Sequence, residues 1–261
     1  MERSFEADGP VEADVVVPAG AIDVTRAEEN RVTVVLEPSR DSRRADQAIA
    51  DSEVTFADGK LRVHVPERAF RNVELQCHLR LPEGSALATK TASADVQSSV
   101  VLGAFDGTSA SGDTELKEVT GDVRHGSASG DFRCEAVGGA LRLRTASGDV
   151  SIGRAAGDVK LTLASGDARI DDAEASVEVR SASGDVRIGS VRRGRVRAQT
   201  ASGDVAIGVA EGVGAYLDVT TVSGDTRCTL PFQERAPGTG ADLEIVARTV
   251  SGDVVVQRAR R

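Results

Sequence analysis

From Phe132 onward, apolar residues recur at every second position in short runs, each run following a glycine turn. One set contains Phe132 with Cys134, Val150 with Ile152, Val186 with Ile188, and Val205 with Ile207. A second set contains Leu141 with Leu143, Val159 with Leu161, Val177 with Val179, and Val196 with Ala198. A period of two predicts strands that bury one face and expose the other. The intervening positions agree: Arg133, Ser151, Arg169 and Arg187 form one outward row, and Arg142, Lys160, Glu178 and Arg197 form another.

The turns themselves repeat. Ser-Gly-Asp or a near copy centres on Ala94, Gly112, Gly130, Gly148, Gly166, Gly184, Gly203, Gly224 and Gly252, at intervals of 18, 18, 18, 18, 18, 19, 21 and 28 residues. Weaker copies lie midway, at Thr120-Gly121-Asp122, Gly138-Gly139-Ala140 and Ala156-Gly157-Asp158. Each half of the repeat provides one strand and one turn. Stacking such units predicts an all-β solenoid with coils of about 18 residues. Each coil gives one strand to each of two facing parallel sheets, and coils repeat at ~4.8 Å. No coil can bury its apolar row alone, so stability comes from stacking. At the corner, glycine supplies positive φ, and Ser and Asp are expected to accept hydrogen bonds from backbone N–H groups there. The small Ala110, Ala128, Ala146, Ala164, Ala182 and Ala201 are expected to suit a crowded inner corner.

Residues 1–90 read as an irregular β-rich N-terminal cap with early coils, continuous with a regular repeat solenoid over residues 91–261. Strands are expected in VEADVVVPAGAIDVT, RVTVVLEP, SEVTFADGKLRVHVP and NVELQCHLRLPEG, with turns at Pro18-Ala19-Gly20 and Asp58-Gly59. Residues 42–50 form the one expected helix, with Asp41-Ser42 as its N-cap. PFQERAPGTG, residues 231–240, reads as a loop between the last two coils, and QRARR ends the sequence with charge. "VPAGAIDV", "LRLPEGSALATKTASADV" and the recurring "TASGDV" and "VSGDV" units resemble the bacterial domain of unknown function 4097, an adhesin-like family with β-strand repeats. The resemblance spans nearly the whole sequence. It implies a β-solenoid-like fold and supplies no catalytic residues to carry over.

Composition narrows the chemistry. Six Phe, one Tyr and no Trp leave the core to Val, Leu, Ile and Ala. A net charge of -9 disfavours nucleic acid as a partner. MERSFEADGP lacks a basic stretch followed by an apolar one, and no apolar run is long enough to span a membrane, so a cytoplasmic location is expected. Cys77, Cys134 and Cys228 are spread out and read as small core residues. His64 and His78 fall on outward faces. His125 takes the slot of Leu143, Leu161 and Val179, at the edge of the core. No catalytic, cofactor or metal residue is assigned, and the chain reads as a non-enzyme without a cofactor.

The leading expectation is therefore a scaffold or interaction module. An unknown protein or anionic partner would meet Arg124, Arg142, Lys160, Arg180, Arg197 and Arg248 on one sheet, or Arg133, Arg169, Arg187 and Arg227 on the other. Self-association through the C-terminal coil is a further expectation. The alternative is a calcium-binding or polysaccharide-active β-helix. Its site would be the column Asp113, Asp131, Asp149, Asp167, Asp185, Asp204, Asp225 and Asp253.

Overall fold

Residues 1–28, 31–40, 42–66, 73–230 and 243–259 are described by a computed structural model, which divides into two units, Met1–Glu135 and Ala136–Arg261. PFQERAPGTG, Asp41, Arg260 and Arg261 lie outside the described residues. Both units are built almost wholly from strands in two parallel-rich sheets, with apolar rows enclosed between them. The all-β, solenoid-like expectation holds in each.

In the first unit, one sheet runs in the order Glu2–Glu6, Arg31–Pro38, Leu75–Leu81, Ala19–Arg26, Ser93–Leu102, Thr114–Val119. The other runs Glu53–Ala57, Lys60–His64, Glu12–Val16, Ala86–Lys90, Ala104–Ser109, Val123–Ser127. The first coil in sequence, Glu12–Val16 with Ala19–Arg26, is thus not the first in space. It sits between the strands of residues 60–81 and those of residues 86–102. Antiparallel strands Glu2–Glu6 and Glu53–Ala57 close the two sheets on that side. The hairpin to Glu53–Ala57 turns at Asp58 (φ 51°) and Gly59 (φ 73°), the paired left-handed conformation of a tight hairpin. The helix covers Arg43–Ala50, and Ser42 caps it by accepting from Ala45 N–H at 3.1 Å.

The second unit is the regular one. One sheet is Leu141–Ser147, Val159–Ser165, Val177–Ser183, Gly194–Gln199, Leu243–Ser251, Ala215–Ser223. The other is Val150–Ala155, Ala168–Ala173, Val186–Val191, Val205–Val209, Val254–Arg258, Thr226–Cys228. Identical repeat positions stack: Val150 on Ala168 on Val186 on Val205, and Leu141 on Val159 on Val177 on Val196. Their side chains are at most 3 % exposed, so neighbouring coils bury each other's rows.

The last two coils exchange places. The chain leaves Val205–Val209, builds the coil of residues 215–228, then returns with residues 243–258 to fill the space it left. Among the described residues, residues 215–228, not the last coil in sequence, therefore form the outermost coil of this unit. The expectation of an open coil at the C-terminal end of the sequence is corrected accordingly.

Candidate interaction surface

At each main corner the glycine lies in the left-handed region, as at Gly166 with φ 119°. A Cβ there would lie 2.2 Å from the carbonyl oxygen of Gly148 in the coil below. Glycine is thus required twice, for its φ and for the closeness of the stacked coils. Beside it, the Asp carboxylate at most corners reaches the next coil. Asp167 Oδ1 accepts from Asp185 N–H at 2.8 Å, Asp185 Oδ1 from Asp204 N–H at 2.9 Å, and Asp204 Oδ1 from Asp253 N–H at 2.8 Å. Asp253 Oδ1 then accepts from Asp225 N–H at 2.8 Å, following the exchanged coil order rather than the sequence. Asp95, Asp113 and Asp149 cap the same way. The Asp column is a capping ladder, as its sequence position suggested.

One corner expectation is corrected. The alanines from Ala110 to Ala201 are exposed rather than packed inside, because the strand alternation continues to the corner serine and turns them outward. The residue two positions before the serine supplies a hydroxyl to the corner. Thr145 Oγ1 donates to Ser147 C=O at 2.8 Å, and Thr200 Oγ1 donates to Ser202 C=O at 3.1 Å.

The Arg rows are outward, as expected, but differ in company. On the face built from Val150 onward, Arg169 pairs with Asp171 at 2.8 Å and Arg187 with Asp185 at 2.7 Å, so local carboxylates offset their charge. Arg133 and Arg227 are exposed. On the opposite face, Arg142, Lys160, Glu178 and Arg197 stand in one row. Arg180 and Arg248 belong to a second row, beside Thr162 and Gln199. Arg124 is exposed in the first unit, with Asp122 3.7 Å away.

Glu178 is the centre of the first row. Lys160 lies 3.1 Å and Arg180 2.7 Å from its carboxylate. The Lys160 hydrogen bond, helped by the charges of Arg180, Lys160 and Arg197, holds the Glu178 carboxyl below the usual range. An open groove of about 350 Å³ runs over this row. Its lining carries Arg142, Lys160, Arg195 and Arg197 against Asp158 and Glu178. Arg195 is held by Glu244 at 2.6 Å, and Asp158 Oδ1 caps Ser176 N–H at 3.2 Å. The groove's surplus charge is positive on a chain whose net charge is -9.

The remaining singled-out residues divide. Cys77 and Cys134 are buried core residues, and burial, with Asp23 adding to it, pushes the Cys77 thiol up to about 12. Cys228 is exposed, against expectation. It sits in an inward row, stacked on Val256, but in the outermost coil. His64 and His78 are exposed, and His78 Nδ1 lies 3.2 Å from Asp23 Oδ2. His125 is deeper than the core edge proposed for it, at 7 % exposed between the rings of Phe105 and Phe132. Among the described residues no cluster of His, Cys, Asp and Glu suits a metal ion, and no helix is long and apolar enough to cross a membrane.

Stacked parallel coils with glycine corners and capping carboxylates define a β-solenoid-like repeat protein. The chain belongs to the Toastrack family, DUF4097, whose sequence profile matches residues 14–260. Among curated proteins nothing matches it. Solved structures similar to it include a "putative adhesin" from Bacteroides fragilis, 14 % identical, with a TM-score of 0.44, covering 98 % of this chain and 96 % of that one. A "putative lipid binding protein" from Parabacteroides distasonis is 12 % identical with a TM-score of 0.42, covering 98 % and 96 %.

Proposed function

We propose that this protein is a non-catalytic interaction module whose second unit receives an acidic protein segment along the row Arg142, Lys160, Glu178 and Arg197. The observation that carries this reading is the excess of cations lining the groove over that row. Coils repeat at ~4.8 Å and residues along an extended strand at ~3.4 Å, with alternate side chains ~7 Å apart. Carboxylates on an extended peptide lying along the row can therefore meet cations on successive coils. Guanidinium groups favour such contacts because their planar fork matches a carboxylate. The rigid sheet holds these cations in place before binding, which lowers the ordering cost.

The test uses fluorescent poly-glutamate as the probe. The native protein binds it with an affinity that falls as salt is added, and Arg142→Glu with Arg197→Glu abolishes binding while the melting temperature is kept. Equal binding by the double variant overturns the reading.

A further inference from the structure

The edge strand Ala215–Ser223 is nine residues long, and among the described residues it pairs on one side only, with Leu243–Ser251. Its inward residues Ala215, Leu217 and Val219 are partly exposed, whereas Leu243, Ile245 and Ala247 beneath them are 0 % exposed. On its outward side Tyr216 is 46 % and Val222 78 % exposed. Neighbouring Val250, 55 % exposed, joins Val222 in the column that holds alanine in the coils below. Soluble proteins protect such edges with lysine, proline, bulges or brevity. This strand has none of these, and its one charge, Asp218, is neutralised by Arg248 at 3.2 Å.

We infer that this edge pairs with the same edge of a second copy, antiparallel and centred on Val219. The backbone directions allow it. In this sheet inward-facing residues bond forward to the next coil, as Val159 N–H does to Ser176 C=O, and outward-facing ones bond back, as Arg248 C=O does to Thr200 N–H. Leu217, Val219 and Thr221 therefore direct their backbone groups to the open side. Centred on Val219, they form the hydrogen-bonded pairs Val219 with Val219 and Leu217 with Thr221.

The same register uses the whole strand and sets Tyr216 against Val222 of the second copy, an aromatic–β-branched pair on one face. Asp218 meets Thr220, so no like charges oppose. Centring on Asp218 instead would place two carboxylates face to face. The arrangement is isologous and closes at two copies. It uses a different surface from the cationic groove, so either can fail alone.

Sedimentation equilibrium of the full chain is the first test, with a dimer fraction that rises with concentration expected. Val219→Pro removes an N–H on the open edge without breaking a ladder bond and is expected to remain monomeric. Thr220→Asp, which faces Asp218 of the other copy without touching the core, weakens the dimer in the same way. Tyr216→Cys with Val222→Cys in a Cys228→Ser background forms a covalent dimer on oxidation. Within one copy these positions are ~20 Å apart, too far for a disulfide. A native protein that stays monomeric, with Leu217 and Val219 amides either exchanging freely or protected by its own chain, overturns the inference. So does a folded Val219→Pro protein that dimerises fully, or a double-cysteine variant that fails to cross-link.

Discussion

His125 shows how one residue can make a fold sensitive to acid. Its ring centroid lies 5.1 Å from that of Phe132 and 6.1 Å from that of Phe105, and Nδ1 is buried without a hydrogen bond. Gly107 stands opposite it in register, where a Cβ would come within 2.6 Å of that nitrogen. Burial lowers the imidazole from 6.5 to about 4. The unfolded chain therefore binds a proton that the folded chain refuses, and stability falls as pH drops from 6.5 through 4. The loss approaches roughly 3 kcal/mol over that window. Denaturant unfolding at pH 7 and pH 4 should show His125→Leu losing less stability than the native protein. Equal losses would mean that this imidazole does not control the transition. The Asp ladder makes a second residue-level case. Asp167→Ala removes the acceptor for Asp185 N–H and should cost about 1 kcal/mol, because the bond is charge-assisted yet only part-buried. Asp167→Asn keeps an acceptor oxygen and should lose less. If both variants unfold at the native denaturant midpoint, the ladder does not stabilise the corner.

At the scale of strands and corners, most of the architecture was legible in the alternation and the glycine intervals. Val150, Ile152, Val186 and Ile188 announce an inward row because period two admits no other face. Coil order was not legible in the same way. Each TASGDV unit fits against any other, so local pattern does not say which coil is its neighbour. Only the intervals of 21 and 28 residues carried a signal: skipping a coil and returning needs extra chain. The alanine column was legible too, since counting the alternation from Leu143 through Thr145 already turns Ala146 outward, against the crowded inner corner expected of it. Parity places Cys228 in an inward row but does not give its exposure, because the alternation does not say which coil lies outermost. The cationic groove was half legible: the row was visible, while the convergence of Lys160, Arg180 and Arg197 on Glu178 needed the register. One corner test follows. Gly166→Ala should destabilise by well over the ~1 kcal/mol that the positive φ alone costs an alanine, because backbone and not a flexible side chain occupies the Cβ position. A melting temperature equal to the native value would refute that tight stacking.

At the scale of the whole molecule, stability is a sum of neighbour contacts rather than the product of one centre, so the consequence of a lesion depends on where a coil sits in the stack. Ile245 and Leu217 face inward in register with each other, yet they are not equivalent. The coil of Ile245 supports two neighbours, Gly194–Gln199 below and Ala215–Ser223 above. Among the described residues the coil of Leu217 has one, and Ile245 is 0 % exposed while Leu217 is partly exposed. An aspartate at residue 245 buries a charge without a partner, and the cheapest relief is to open its own coil. Opening it also strands residues 215–228, which have no other described coil to lean on. Hydrogen exchange on Ile245→Asp should therefore show protection lost across residues 215–228 and 243–258 together, with residues 141–191 still protected. Leu217→Asp should lose protection over residues 215–228 alone. The order along the sequence would suggest the reverse, with the last coil free to open and the one before it unaffected. Exchange data in which residues 215–228 stay protected in Ile245→Asp would mean that the last two coils do not change places.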